Sequence, residues 1–315
     1  MIDEFEFLAQ RLGRVHARQR LGIERDHEAQ VFGQGLNFFH FENWTSSPLL
    51  IGSVLKATGL YRRGNRNAAR VRICHHDVAS SLIPASFDGF TLLHLSDLHV
   101  DMSEAAIANL MPMLRDLPYD LCVLTGDYRG LTYGPIAAAM KGMARLRIEL
   151  REPIFAVLGN HDSIRMVPEL ETMGIPVMLN EHKTIERDGQ RIHIAGIDDA
   201  HFFRVDNIEK AAEGIPADEF SILLSHTPEI YKQAAHADFK LLLAGHTHGG
   251  QVCLPGGIPI TLDSHLPRRF GSGSWKYREM TGYTSVGAGS SILPVRFNCP
   301  AEITLHHLRC KRSDQ

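Results

Sequence analysis

Strand-like runs alternate with helix-like stretches through the central part of the chain. The strand-like runs are mostly apolar and three to five residues long, and they lie at residues 91–95, 121–125, 154–158, 222–224 and 241–244. Apolar side chains at helical spacing occupy residues 104–117, 135–150 and 167–173. Ser103 stands where an N-cap of the first of these helices is expected. This alternation predicts a layered α/β domain.

A different pattern follows in the second half of the chain. Residues 184–187 and 191–197 read as strands on either side of Asp188-Gly189, which is a strong hairpin signal. Residues 251–308 are rich in glycine and in strand-like segments. We therefore expect a second, more antiparallel sheet that packs against the first.

The N-terminal part follows neither pattern. We predict an appendage over residues 1–68, helical and rich in aromatic residues, and a single domain over residues 69–315. Within the appendage, residues 3–30 read as a polar helix, and residues 38–44 contain an aromatic cluster.

Two shorter features complete the appendage. Pro48 is expected in or near the first turn of a short helix within residues 49–60. Residues 61–70 look like a basic linker. Two interpretations of residues 5–20 stay open: an amphipathic surface that meets lipid or caps the active site, or a helical segment that packs on the domain.

Composition is that of an ordinary globular enzyme. Hydrophobic residues make up 44% of the 315 residues and charged residues 22%, and the net charge is −3. No global basic field attracts nucleic acid. The five cysteines form no CxxC pair, which argues against a disulfide framework and for a reducing compartment. The acidic N-terminus and the absence of a long apolar run predict a cytoplasmic protein, with peripheral membrane contact as a minority interpretation.

Metal-ligand residue types follow the strand-like runs. The five blocks are Asp97-Leu98-His99, Gly126-Asp127, Gly159-Asn160-His161-Asp162, Ser225-His226 and Gly245-His246-Thr247-His248. In open α/β sheets the carboxyl ends of parallel strands converge on one site. Imidazole, carboxylate and amide ligands suit Mn, Fe, Zn, Ni or Mg, and the sequence does not distinguish among these metals. Each block alone is compatible with an ordinary turn, but five in order indicate one metal site.

The chain resembles the calcineurin-like metallophosphoesterase superfamily, whose signature contains these five blocks in this order. The stretches GHTHGGQ (residues 245–251) and GAGSSILPVRFNCPAEI (residues 287–303) look like the bacterial YkuE/YaeI-type phosphodiesterase branch. The resemblance covers roughly residues 70–309. It implies an α/β fold in four layers, an α/β/β/α sandwich of two mixed sheets flanked by helices. It also implies phosphoester hydrolysis at two divalent metals, with a hydroxide that bridges them as the nucleophile.

By the family pattern, seven residues hold the two metals. Asp97, His99 and His248 would bind the first metal, and Asn160, His226 and His246 the second, while Asp127 would bridge them. Residues two apart in an extended segment point the same way, so Asp97 and His99 can share a metal. The glycines at 126, 159 and 245 would bring the backbone close and permit positive φ.

The same pattern gives His161 a catalytic rather than a ligand role. It would face the scissile bond and protonate the leaving oxygen or stabilise the transition state, with Asp162 orienting its ring. The candidate substrate contacts rest on position alone. They are Tyr128 and Arg129 after the bridging Asp127, and His265, Arg268 and Arg269 in a later loop.

The function expected is that of a phosphodiesterase. The alternative is a pyrophosphatase acting on a nucleotide-linked lipid such as UDP-diacylglucosamine. The arginines would suit a substrate of this kind, which has two phosphates. A catalytically inactive scaffold would be expected to have lost ligands, and a mononuclear structural site would need no bridging carboxylate. A nonspecific nuclease would profit from a basic groove that this composition does not suggest. The substrate expected is therefore a small-molecule or lipid phosphodiester or pyrophosphate, and no protein partner is evident.

Overall fold

The computed structural model describes residues 4–32, 47–262 and 264–311. The predicted aromatic cluster at residues 38–44 lies outside them. The helices, numbered in chain order, are α1 (Glu4–Leu12), α2 (Arg14–Phe32), α3 (Ser47–Ala57), α4 (Leu60–Ala68), α5 (Glu104–Arg115), α6 (Ala137–Arg147), α7 (Val167–Thr172), α8 (Ile208–Ala212) and α9 (Tyr231–His236). No helix among these residues is both long and apolar enough to cross a membrane.

The strands fall into two large sheets and one short hairpin. Those of the first sheet are β1 (Arg72–Ser80), β2 (Thr91–Leu95), β3 (Leu121–Thr125), β4 (Ile154–Val157) and, from the end of the chain, β13 (Glu302–Cys310). Those of the second sheet are β5 (Glu181–Arg187), β6 (Gln190–Gly196), β7 (Ser221–Leu224), β8 (Leu241–Ala244), β11 (Gly273–Tyr277) and β12 (Met280–Thr284). The hairpin joins β9 (Cys253–Leu254) to β10 (Ile258–Pro259).

Both large sheets are mixed. The first has the order β1-β13-β2-β3-β4 and the second β11-β12-β8-β7-β6-β5. Strands β2, β3 and β4 run parallel, and so do β6, β7, β8 and β12. The antiparallel pairs are β13 with β2, β5 with β6 and β11 with β12. Each sheet therefore presents several parallel carboxyl ends at one edge.

Successive side chains of a strand point to opposite faces of its sheet, so they belong to different hydrophobic cores. These cores separate the layers of the fold. In β3, Leu121 and Val123 join a core that also contains Ile222 and Leu241 of the second sheet. Neighbours such as Cys122 and Leu124 pack instead against helices α5 and α6. On the far side of the second sheet a further core includes residues of α8 and α9. This arrangement is the predicted four-layer α/β/β/α sandwich.

The N-terminal segment differs from its prediction. The single helix expected over residues 3–30 is two helices, because Gly13 adopts φ 88° between α1 and α2. Leu8 and Leu12 are buried in the core of the first sheet, whereas Val15 is exposed. The apolar side of α1 thus contacts protein, which favours the packed interpretation over lipid contact for residues 5–20.

Other elements match their predictions closely. Ser103 caps α5 by accepting a hydrogen bond from the amide of Ala106, and α3 begins at Ser47 beside Pro48. The predicted basic linker over residues 61–70 is wrong, since most of it is helix α4. Its glycine is packed: a Cβ at Gly64 would lie 2.8 Å from the Phe297 ring. Packing against the distant Phe297 therefore stabilises α4, although its arginine-rich sequence does not predict a helix.

Candidate active site

The strand-end motifs of the two sheets meet at one place. Asp97 and His99 follow β2, Asp127 follows β3, and Asn160 follows β4 of the first sheet. His226 follows β7 of the second sheet, and His246 and His248 follow β8. All seven side chains are buried. Backbone hydrogen bonds join the loops, as from the Asp97 amide to the Gly126 carbonyl at 3.0 Å.

The backbone at these loops is unusual. Five of the seven candidate ligands adopt positive φ: Asp97 (49°), His99 (39°), Asp127 (57°), His246 (72°) and His248 (49°). Non-glycine residues rarely occupy this region, and such strain is concentrated at functional sites.

The glycines of the motifs have two different roles. Gly126 has the expected positive φ of 87°, whereas Gly159 and Gly245 do not share it. A Cβ at Gly159 would lie 2.2 Å from Asp127 Oδ1, and one at Gly245 would lie 1.8 Å from Ser96 Oγ. These two glycines are needed for close approach, and the prediction of positive φ is wrong for them.

The first group of ligand-type atoms is compact. One ligand atom from each of Asp97, His99, Asp127 and His248 lies within 4.8 Å of the others. His99 Nε2 and His248 Nε2 are 3.1 Å apart, and His248 Nε2 lies 3.4 Å from Asp97 Oδ1. His99 Nδ1 lies 2.7 Å from the carbonyl oxygen of Arg129, to which it donates. That bond leaves the Nε2 lone pair directed at the group, as in carbonyl-oriented metal-binding histidines.

The second group surrounds His226. Its Nε2 lies 2.9 Å from Asn160 Oδ1 and 3.3 Å from Asp127 Oδ2. Its Nδ1 donates to the Thr125 carbonyl at 2.7 Å. The His246 ring lies beside it, with centroids 5.1 Å apart. Asp127 thus belongs to both groups, as a bridging carboxylate must.

The electrostatics of the site favour a bound cation. Burial would lower the pKa of His226, but the Asp127 carboxylate raises it to about 10. Burial raises the pKa of Asp97. The nearby His226 opposes this rise, and the negative charge of Asp127 adds to it. Buried carboxylates this close together require positive charge nearby, which divalent metals supply at neutral pH. The donor set therefore fits divalent metal ions.

His161 lies directly over Asp127. Its backbone amide donates to Asp127 Oδ1 at 2.9 Å, and its Nε2 lies 3.9 Å from Asp127 Oδ2. Its Nδ1 lies 3.2 Å from Thr132 Oγ1. The His161 ring therefore lies beside the candidate ligands, and its catalytic role stays a prediction.

Asp162 acts differently from the sequence-based expectation. Its Oδ2 accepts hydrogen bonds from the amides of Asp127 (2.7 Å) and Gly159 (2.8 Å), and its Oδ1 accepts one from Tyr128 (2.9 Å). The carboxylate thus ties two ligand loops together, whereas the side chain beside His161 Nδ1 is Thr132. The expectation that Asp162 orients the His161 ring is wrong.

The side chains of Tyr128 and Arg129 are bonded to backbone carbonyl oxygens. Tyr128 is fully buried and donates from its hydroxyl to the Val157 carbonyl at 2.6 Å. The Arg129 guanidinium donates to the carbonyls of His161, Thr132 and Gly134. Because backbone oxygens occupy its donors, Arg129 holds the His161 loop instead of a phosphate. Both residues are corrected from substrate contacts to structural supports.

The predicted anion loop is exposed and joined to the site indirectly. His265, Arg268 and Arg269 are all exposed. The amide of His265 donates to Glu229 Oε1 at 2.7 Å. Glu229 Oε2 lies 2.8 Å from His201 Nδ1, and the His201 ring lies 4.3 Å from that of His246. The loop is thus two residues away from the ligands, and its substrate role stays a prediction.

Helix α2 contributes residues that the sequence patterns missed. Arg20 is fully buried and donates to the Asp162 carbonyl at 3.0 Å. It lies 2.7 Å from Glu24 and 3.5 Å from Asp198, with its guanidinium over the Phe203 ring at 3.4 Å. The sequence pattern predicts a polar helix over residues 3–30 but gives Arg20 no role of its own.

Glu24, one helical turn after Arg20, contacts the segment that follows Asp162. Its carboxylate accepts hydrogen bonds from Ser163 Oγ and the Ile164 amide, both at 2.7 Å. Helix α2 is therefore hydrogen-bonded to the segment that directly follows Asn160 and His161.

The match to known proteins agrees with this geometry. A profile of the calcineurin-like phosphoesterase family matches residues 90–250, which contain every candidate ligand. The chain belongs to the calcineurin-like phosphoesterase family. Its members are phosphoester hydrolases that depend on divalent metal ions, and this metallophosphoesterase has a matching cluster at Asp97, His99, Asp127 and His248.

Relatives of this metallophosphoesterase come from bacteria and animals. The metallophosphoesterase YkuE of Bacillus subtilis is 30% identical over 249 residues, which are 76% of this chain and 86% of YkuE. The phosphodiesterase YaeI of Escherichia coli is 26% identical over 70% of this chain and 82% of its own. A zebrafish transmembrane protein with a metallophosphoesterase domain is 30% identical over 81% of this chain, which spans 60% of that relative.

Proposed function

We propose that this metallophosphoesterase is a phosphodiesterase with two divalent metals. Asp97, His99 and His248 would hold the first metal, and Asn160, His226 and His246 would hold the second. Asp127 would be shared between them. Mn, Fe, Zn, Ni and Mg all suit these oxygen and nitrogen ligands.

The position of Asp127 carries the proposal. Its Oδ2 lies 3.3 Å from His226 Nε2 of one group and 3.9 Å from His99 Nε2 of the other. A mononuclear structural site would leave one of these groups without a purpose. A buried carboxylate between two sets of nitrogen ligands is what a dinuclear site requires.

The metal pair, when bound, would lower the pKa of a water and neutralise the phosphoryl oxygens. The residues of the chain then have separate tasks. His161 Nε2 faces Asp127 and holds the proton that passes to the leaving oxygen. In the imidazolium form that a general acid requires, His161 Nδ1 donates to Thr132 Oγ1, which orients the ring and leaves the Nε2 proton for transfer. Asp162 fixes the spacing of the two ligand loops through three backbone amides.

The proposal of a diester substrate is supported by similarity to YaeI, a protein named as a phosphodiesterase. A pyrophosphate substrate is the alternative, since the same two-metal chemistry cleaves it. Which of these bonds the enzyme prefers depends on the surroundings of the leaving group.

The test compares bis-p-nitrophenyl phosphate with p-nitrophenyl phosphate. Metal-stripped protein is refilled with Mn, the metal content is measured, and kcat/KM is determined for each ester. A higher kcat/KM for the diester is expected. A higher value for the monoester would contradict the phosphodiesterase proposal in favour of a phosphatase. Bound metal without turnover of either ester would indicate an inactive scaffold.

A further inference from the structure

A cavity with a basic wall lies between the segment that joins α4 to β1 and residues 296–300. Its volume is about 450 Å³, within the range of about 300–1,000 Å³ that is usual for small-molecule sites. Three arginines and two asparagines line it, namely Arg70, Arg72, Arg296, Asn67 and Asn298. The other lining residues are uncharged. The wall therefore contains positive charge and amide groups but no carboxylate.

Two of these arginines have donors that the protein does not occupy. Arg70 and Arg72 are exposed, and neither guanidinium forms an ion pair or a hydrogen bond with any residue that the structure describes. Glu302 lies opposite Arg72 in the pairing of β1 with β13. Its carboxylate instead accepts hydrogen bonds from Cys74 Sγ at 3.4 Å and from the Tyr283 hydroxyl at 3.1 Å. The donors of Arg70 and Arg72 are thus available to a bound anion.

The third arginine adds buried positive charge. Arg296 is fully buried, and its guanidinium donates to the carbonyl oxygens of Val286 and Gly289 at 2.6 and 2.7 Å. These bonds engage its donors, but no carboxylate of the described ranges lies within ion-pair distance of it. A buried charge without a paired counter-charge is unfavourable, and an anion in the cavity would reduce this cost.

The cavity is separate from the candidate metal site but next to it. None of the seven candidate ligands lines it, and neither does His161. Two of its lining residues contact His248: Arg296 Nη2 lies 3.3 Å from His248 Nδ1, and Cys299 Sγ donates to the His248 carbonyl at 3.3 Å. An anion in this cavity is therefore a different ligand from the phosphoryl group that is hydrolysed.

The pair of exposed arginines suggests which anion the cavity takes. A guanidinium binds carboxylate or phosphate oxygens through two parallel N–H donors. A phosphate monoester has three terminal oxygens and about two negative charges, which match two arginines better than a carboxylate does. The volume leaves room for a small organic substituent beside the phosphate.

We propose that this cavity binds the phosphate group of an anionic ligand, with Arg70 and Arg72 as the side chains that contact it. The ligand is either a soluble phosphate compound or the headgroup of an anionic lipid, since both present the same chemistry to the arginines. The proposal goes beyond phosphodiesterase activity and does not depend on it, because no candidate metal ligand lines the cavity.

Phenylglyoxal, which modifies arginine side chains, tests where the phosphate binds in the metal-loaded wild-type protein. Peptide mass spectrometry follows each arginine in inorganic phosphate, in sn-glycerol 1-phosphate and in sodium chloride at the same ionic strength. Both phosphate compounds are expected to slow the modification of Arg70 and Arg72. Arg62, Arg63 and Arg66 are exposed on α4 and do not line the cavity, so they should react as fast as in chloride.

Two double variants with equal loss of charge identify the source of the phosphate. Arg70→Gln/Arg72→Gln changes the cavity, and Arg62→Gln/Arg63→Gln is the matched control on α4. For a soluble ligand, the affinity for sn-glycerol 1-phosphate should fall on the order of tenfold in the cavity variant alone. For a lipid headgroup, the same selective loss should appear in sedimentation with phosphatidylcholine vesicles that contain phosphatidylglycerol. Vesicles of phosphatidylcholine alone are the blank.

Three results would overturn the proposal. Equal protection of all five arginines would show only a diffuse basic surface, and so would equal loss of binding in the two double variants. Absence of protection by both phosphate compounds, together with absence of binding to the anionic vesicles, would also exclude the site. Thermal unfolding and metal content establish that each variant is folded, and the labelling of the wild type gives an answer even if the cavity variant is not. None of these results alters the comparison of diester with monoester hydrolysis.

Discussion

The contact between helix α2 and the His161 loop can be tested by replacing Arg20 with methionine. Methionine keeps much of the length of the arginine stem but removes the charge and the guanidinium that lies over the Phe203 ring. The hydrogen bond to the Asp162 carbonyl is lost, and Asp198 loses its fully buried cationic neighbour. His16 Nε2 stays 2.8 Å from the Asp198 carboxylate.

The expected loss of stability follows from the burial of these groups. Removing one partner of a buried ion pair costs about 3–5 kcal/mol, because the remaining charge stays buried without compensation. His16 offsets part of this for Asp198, so the lower end of the range is expected. The folded state should persist, since domains are stable by about 5–15 kcal/mol. Urea unfolding of the metal-loaded protein measures this difference.

The expected effect on catalysis is larger than stability alone explains. The Asp162 carbonyl lies one residue after His161, so release of that contact displaces the acid from the leaving oxygen. Misplacement of about 1 Å can cost about 100-fold in rate. We therefore expect Arg20→Met to lower kcat by about 10- to 100-fold, with a much smaller change in KM and with both metals retained.

Arg11→Met is the matched control. Arg11 lies on α1 and anchors the same helical pair, but to Glu171, Glu181 and the Val177 carbonyl, which are remote from the His161 loop. It should lose stability while keeping the wild-type kcat. If the two variants showed equal kcat values at temperatures where both are folded, the positioning role of Arg20 would be refuted.

Three further substitutions test the site and the interior. Asp127→Asn should lower the content of both metals and abolish turnover of bis-p-nitrophenyl phosphate; activity like that of the wild type would exclude a bridging role. His161→Ala should retain metal and lower kcat by about 10²- to 10⁴-fold, as loss of a general acid does; loss of metal would make it a ligand. Burial lowers the pKa of His94 from 6.5 to about 3, so the unfolded chain binds a proton that the folded chain does not as pH falls through this interval. Stability is therefore lost below pH 6.5, and His94→Gln should lose about 1.4 kcal/mol less per pH unit in urea unfolding between pH 6 and 4. The exposed His236→Gln should keep the wild-type slope, and an identical slope for His94→Gln would contradict this linkage.

Patterns of local origin were predicted well. The apolar run at residues 121–125 is strand β3 without a change of bounds, and Asp188-Gly189 joins β5 to β6. Hydrophobic alternation and turn chemistry are encoded by neighbours in the chain, so a sequence displays them directly. The arginine-rich residues 61–70 were misread because α4 depends on packing against Phe297, a residue far away in sequence.

The sequence by itself determined the ligand types of the site, their order and their placement after strands, since parallel strand ends must converge. It did not determine which polar side chains face substrate. Tyr128 and Arg129 directly follow the bridging Asp127 in the chain, yet their side chains donate hydrogen bonds to backbone carbonyls. Arg20 is more than one hundred residues from His161 and contacts its loop. Only the tertiary structure decided these roles, because a buried polar group must satisfy its hydrogen bonds wherever the fold supplies a partner, and that partner has no fixed distance along the chain.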